Sequence, residues 1–172
     1  MNSQQYPHAL WSEVLPGLWQ GGTDDNDVIS EARWRGYQTD LEPQRPTRAH
    51  FDSVYTLYGY ANPAGSQTKE IRVPFLDSDL SDIDVERDLW LPVSQAHADW
   101  KAGRRVLIRC QAGLNRSGLV MALVLIREGY GPEDAIDLIR NKRGEDALFN
   151  ARFVSWLTDQ AHLSFWRTLA AA

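Results

Sequence analysis

The chain has 172 residues, 43% hydrophobic and 24% charged, with a net charge of −5 at pH 7. That balance suits one globular domain around a single buried core, and its negative sign argues against nucleic acid or an acidic membrane as partner. No apolar run approaches the ~20 residues of a membrane span, and one cysteine with four scattered histidines excludes an internal disulfide and argues against a metal site.

The start, Met-Asn-Ser-Gln-Gln-Tyr, lacks the basic opening and apolar centre of an export signal, which points to a cytoplasmic setting. A first strand is expected around Val14–Trp19. The acidic turn Thr23-Asp-Asp-Asn-Asp27 then caps a short helix through Arg35, stopped by Gly36. Residues 38–50, with Pro43 and Pro46, read as loop. Phe51–Tyr58 has the β-branched and aromatic character of a strand, Gly59–Lys69 reads as a connection, and Ile71–Phe75 as the next strand.

A helical pattern runs from Ser81 to Lys101, with Pro92 either kinking it or opening its main segment. Val106–Ile108 enters the sheet. Leu119–Ile126, a helix opened by Pro132-Glu-Asp, and another from Ala147 to about Thr158 follow. The seven tryptophans are core and groove fillers rather than a stacking platform for bases. Short strands alternating with helices imply an α/β fold in a single domain. Its central sheet is mostly parallel, helices cover both faces, and ligands sit at the carboxyl ends of strands.

The informative segment lies between the last strand and the apolar helix: Cys110-Gln-Ala-Gly-Leu-Asn-Arg-Ser-Gly118. Gly113 lets the backbone turn tightly. The amides of Gln111, Ala112, Gly113, Leu114 and Asn115, with the free N–H groups of the following helix's first turn, can then form a nest the size of a phosphate. Arg116 can bond two phosphate oxygens with its planar fork. Cys110 lies at the floor of that cup, and such surroundings favour the nucleophilic thiolate over the thiol.

The Cys-x5-Arg-Ser loop resembles that of the cysteine-dependent protein tyrosine phosphatases, and its Ala-Gly pair resembles the dual-specificity branch. Val14-Leu-Pro-Gly-Leu-Trp-Gln-Gly-Gly22, Ile71-Arg-Val-Pro-Phe-Leu-Asp77, Gly131-Pro-Glu-Asp-Ala-Ile136, Arg140 to Arg143 and Asn150-x-x-Phe153 are similar to further family segments. The likeness therefore spans 14 to about 157. One residue departs from it: Arg109 stands where the family has His before its cysteine. A cation there can still favour the thiolate.

Hydrolysis of a phosphate ester needs a nucleophile, a cradle for the equatorial oxygens and an acid for the leaving oxygen. Cys110 and the loop supply the first two, and the resemblance implies Asp77 as the acid. Asp79 and Asp82 share its acidic stretch and stay open as alternatives, while Asp82 also suits a helix cap. Ser117 is either an N-cap or a hydrogen-bond donor to the sulfur. Asn150 is either a support for the loop or a plain cap, and Arg140, Lys142 and Arg143 read as a solvated helix face.

The expected activity is hydrolysis of phosphotyrosine through a phosphocysteine, with phosphoserine or phosphothreonine accepted if the pocket is shallow. No metal or other cofactor is required. The partner is a phosphoprotein or phosphopeptide, and the protein is expected as a monomer. Alternatives are an RNA 5′-triphosphatase, a phosphoinositide phosphatase, a phosphopeptide-binding module without turnover, suggested by Arg109, and a sulfur carrier of the rhodanese kind.

Overall fold

A computed structural model describes residues 9–23 and 44–168. The chain enters through an antiparallel hairpin, β1 (Trp11–Leu15) against β2 (Leu18–Gly21), where a single strand over Val14–Trp19 was expected. Pro16-Gly17 turns the backbone there, and Gly17 has φ +81°, which lacks a Cβ penalty only in glycine. The helix expected up to Arg35 lies outside the described residues.

Strands β3 (Ser53–Thr56), β4 (Lys69–Arg72) and β5 (Val106–Arg109) complete a five-stranded sheet in the order β1-β2-β5-β3-β4. Every pairing except the hairpin is parallel, as an α/β fold requires. β4 starts earlier than the expected Ile71–Phe75 and also ends earlier. Val73 N still bonds Thr56 O at 2.9 Å, but Pro74 has no amide to continue the ladder.

Between β4 and β5 the single expected helix is two, α1 (Val85–Asp88) and α2 (Trp90–Lys101). Pro92 falls in the first turn of α2, where a missing N–H breaks no helical bond. The cap of α1 is Asp84, whose Oδ1 accepts from Arg87 N at 3.1 Å. Asp82 is not a cap: it turns back to accept from Leu76 N and Ser78 Oγ, both at 3.4 Å.

Four helices follow β5: α3 (Arg116–Glu128), α4 (Pro132–Arg143), α5 (Ala151–Thr158) and α6 (Gln160–Thr168). α5 begins later than Ala147, because residues 145–148 form a turn with Leu148 at φ +57°. α3 is buried from Ser117 through Ile126 and packs against Leu18, Tyr55, Val106 and Ile108. The alternate side chains Val54 and Leu107 face the other way, with Phe51, Trp11 and Trp19. Trp166 is fully buried and Trp90, Trp100 and Trp156 pack on the main core, so these tryptophans fill space. At about 1.5–3 kcal/mol per buried apolar side chain, β5 and α3 are the best-anchored pair of elements. The loop between them is clamped at both ends.

Candidate active site

Cys110 follows β5, the central strand, at its carboxyl end. The loop carbonyls from Gln111 to Leu114 are each taken by a donor from another segment, and that of Asn115 by the first turn of α3. Gln111 O accepts from Thr23 N at 3.0 Å, Leu114 O from Leu148 N at 3.2 Å, and Asn115 O from Leu119 N at 2.8 Å. Ala112 O accepts from Arg143 Nη2 at 3.3 Å, and Gly113 O from both Arg143 Nε at 3.0 Å and Gln20 Nε2 at 3.1 Å. In a trans peptide the next N–H points opposite to the carbonyl. With the carbonyls drawn outward, the amides following them are turned to the inside of the loop.

Gly113 is required at its position for two reasons. Its φ is +74°, and a Cβ there would lie 2.3 Å from Gly21 C and 2.4 Å from Gly22 N. The loop thus rests directly on the end of β2, where a Cβ on Gly22 would lie 3.0 Å from Gln111 O, whereas one on Gly21 would meet Leu10 O of the hairpin at 2.4 Å.

Cys110 is buried, with its Sγ 3.3 Å from Ser117 Oγ. The N-cap of α3 is Asn115, and Ser117 lies inside the helix, so the N-cap reading of Ser117 does not hold. Arg116 opens α3. Its Nη1 donates to Phe75 O at 3.3 Å, its Cζ sits 5.2 Å from the centre of the Tyr58 ring, and its Nε is buried without an acceptor among the described residues. Such a donor costs stability unless an acceptor arrives, which suits a site for an oxyanion.

Asp77 is exposed at the rim. Its Oδ2 accepts from Asn115 Nδ2 at 2.8 Å and its Oδ1 from Asn150 Nδ2 at 2.7 Å. Asn150 N donates in turn to Asn115 Oδ1 at 2.9 Å, closing a ring of three residues that ties the acidic segment to the loop. Asn150 also caps α5, accepting from Arg152 N at 3.0 Å, so both readings of it hold. Asp79 and Asp82 are not brought to the loop. Asp79 accepts from Ser81 Oγ and Ser81 N, and those bonds hold its carboxyl below the usual range. A cavity of about 620 Å³ beside Asp77 is lined by Ser78, Asp79, Ser81, Asn150, Ala151 and Arg152.

Two expectations need correcting. Arg143 is not on a solvated face. It is 4% exposed, bonding the loop as described and also Ala9 O at 2.7 Å and Ser12 Oγ at 3.1 Å. Burial pushes its guanidinium down to about 10, opposed by the nearby Cys110. Arg140 likewise bonds Ala147 O at 3.1 Å and Leu148 O at 3.0 Å, whereas Lys142 is exposed as expected. Second, Arg109 does not face Cys110. Successive strand side chains alternate, and its guanidinium, 0% exposed, bonds Thr56 Oγ1 at 2.9 Å and Glu70 Oε1 at 3.1 Å on the far side.

Sequence reasoning misses Gln20, whose signal is a polar residue in an apolar strand beside a Gly-Gly pair, and it names Asn115 only as an amide of the nest, with nothing local to mark its side chain as the tie to Asp77.

Residues 42–162 match the family model described as dual specificity phosphatase, catalytic domain. Mouse dual specificity protein phosphatase 12 is 30% identical over 144 residues, 80% of this chain and 37% of that protein. The chain thus spans little more than a third of that relative's length. Among solved structures, human DUSP28 superposes with a TM-score of 0.65 at 21% identity, over 95% of this chain and 96% of that one. PTPMT1 in complex with PI(5)P gives 0.62 at 16% identity, over 94% and 97%.

Proposed function

Since this chain belongs to the dual specificity phosphatase family, we propose that it hydrolyses phosphate monoesters through a phosphocysteine. The observation that carries this reading is the loop whose carbonyls are all bonded outward, leaving amides and Arg116 to meet an oxyanion over Cys110. Cys110 attacks phosphorus in line. The amides of residues 111–116 and the Arg116 fork take up the charge of the equatorial oxygens, the largest contribution in such reactions. Asp77 protonates the leaving oxygen and, as carboxylate, then activates the water that cleaves the S–P bond. Ser117, 3.3 Å from the sulfur, donates to the departing thiolate. No metal or other cofactor takes part.

Phosphotyrosine in a phosphoprotein or phosphopeptide is the favoured substrate, with phosphoserine and phosphothreonine second. The loop residues 111–115 carry no charge, which favours a singly phosphorylated side chain over an inositol headgroup, and the net charge of −5 disfavours RNA 5′-triphosphate. Within this reading the enzyme is a cytoplasmic monomer, its lone cysteine kept reduced. Because Arg109 points away from the cup, it gives no support to a module without turnover.

The test is steady-state hydrolysis of a phosphotyrosine peptide, a phosphothreonine peptide, a phosphoinositide and RNA 5′-triphosphate, with chelator present. Wild type is expected to turn over the phosphotyrosine peptide fastest. Cys110→Ser is expected to lose turnover by several orders of magnitude yet retain peptide binding, because the cradle survives. Binding by wild type without turnover of any ester would establish the binding module instead.

A further inference from the structure

The residue before Cys110 raises a question that the phosphatase reading leaves open: why a wholly buried cation stands there. Burying a guanidinium is costly unless its donors and charge are met. Arg109 meets that cost on a loop. Its Nη2 donates to Asn62 O at 2.6 Å and to Glu70 Oε1 at 3.1 Å. Glu70 also accepts from Thr56 Oγ1 at 2.7 Å and from Ala64 N at 3.0 Å. Although burial opposes it, those donors hold the Glu70 carboxyl below its ordinary range.

Two more arginines grip the same segment. Arg72 Nη2 donates to Ala61 O at 2.8 Å and Gly59 O at 3.3 Å, and Arg45 Nε to Pro63 O at 2.7 Å. Residues 59–64, rich in Gly, Ala and Pro and outside any helix or strand, have their carbonyls fastened to three guanidinium groups. Immediately before them stands Tyr58, whose ring lies 5.2 Å from Arg116 Cζ and is flanked edge-on by Tyr60 at 5.7 Å. Arg116 is thereby confined between that ring and Phe75 O, at 3.3 Å.

We propose that Arg109 is a positioning residue: by fastening residues 59–64 through Asn62 and Glu70, it holds the Tyr58 ring against Arg116 and so pre-orders the oxyanion-binding fork. This rests on the phosphatase reading for the role of Arg116. Arg109 acts through the loop and not on the sulfur.

The experiment compares wild type with Arg109→His, Arg109→Lys, Tyr58→Ala, Tyr58→Phe and the Arg109→His/Tyr58→Ala double variant, each checked for a cooperative melt. Vanadate affinity and kcat/KM on an aryl phosphate are measured for each. Tyr58→Ala and Arg109→His should each weaken vanadate binding roughly tenfold, the size of one cation–π contact. Tyr58→Phe, which keeps the ring, should match wild type, and Arg109→Lys should fall between.

The double variant should be no worse than the worse single variant, because both changes break one chain of contacts. Amide exchange in residues 59–64 should quicken in Arg109→His, and the pH dependence of Cys110 alkylation should stay as in wild type. Losses that multiply in the double variant, unchanged exchange in Arg109→His, or alkylation displaced to higher pH would each overturn the proposal. If wild type itself neither binds vanadate nor hydrolyses any ester, the phosphatase reading fails. The exchange rates still decide whether Arg109 holds the loop.

Discussion

At the scale of single residues, the placement of Asp77 separates it from its acidic neighbours. Asn115 and Asn150 hold its two oxygens, at 2.8 and 2.7 Å, whereas Asp79 is bonded into its own turn and Asp82 to the backbone of Leu76. A phenolate leaving group needs a proton in the transition state, worth roughly 10²–10⁴-fold, while a nitrated phenol hardly needs one. Asp77→Asn should therefore slow phosphotyrosine hydrolysis strongly and phosphocysteine formation from a nitrophenyl phosphate much less. Asp79→Asn and Asp82→Asn should be mild on both substrates. Rapid-mixing kinetics on the two leaving groups checks this, and the selective loss appearing in Asp79→Asn or Asp82→Asn would move the acid. The resemblance points to Asp77, but its amide clamp is not readable, because Asn115 and Asn150 lie 38 and 73 positions from it.

At the scale of elements, the cup is a joint product of β2, β5, α3 and α4. Gly113 seats the loop on the end of β2 at a distance no side chain tolerates. Gly113→Ala would add a left-handed strain of about 1–2 kcal/mol and an overpacking cost of about 1–3 kcal/mol. Thermal melts should show Tm lowered by roughly 10 °C, and calorimetry should find vanadate binding abolished, because the carbonyls of Ala112 and Gly113 can no longer reach Arg143 and Gln20. A variant that melts lower yet binds vanadate as wild type would show that the cup forms without this contact. Pattern reading placed β5, α3 and the loop correctly, since their apolar runs and Gly113 are local signals. It missed the Pro16-Gly17 turn and the division at Leu89, where one residue between two helical turns leaves the periodicity almost intact.

At the scale of the whole molecule, a polar knot beneath the sheet links its far edge to α2. Asp99, 7% exposed, accepts from Tyr55 OH at 2.6 Å, Lys69 Nζ at 2.8 Å and Arg104 Nη1 at 2.9 Å. Burial opposes its ionisation, but the bonds from Lys69 and Tyr55 outweigh it and hold the carboxyl below its ordinary 3.8. Burial and the Asp99 bond push the Tyr55 phenol up.

A depressed carboxyl contributes stability that is complete above its unfolded value and is lost as pH falls through the folded one. Asp99 and Glu70, the latter below its ordinary 4.5, should therefore make Tm nearly flat from neutral pH down to about 5 and falling below about 4. Asp99→Asn should lower Tm at neutral pH, by leaving Lys69 and Arg104 without their counter-charge, and should flatten the acid limb. Melts across that range check both, and an equally steep acid limb in Asp99→Asn would place the linkage elsewhere.

The α/β order, the tight loop after the central strand, and the pairing of a lone cysteine with an arginine six residues on are legible from the chain alone. These follow from short-range patterns: apolar runs, a glycine that must turn, a helix start. What stands behind that loop emerges only once distant segments are packed together. Arg143 reads as a surface charge at the end of an amphipathic helix, and Arg109 as a cation beside the sulfur. Each takes its role from carbonyls brought to it from distant segments, Ala9 and Ala112 for one and Asn62 for the other. A buried guanidinium is held by acceptors that share no periodicity with it, so local sequence carries no trace of the partner.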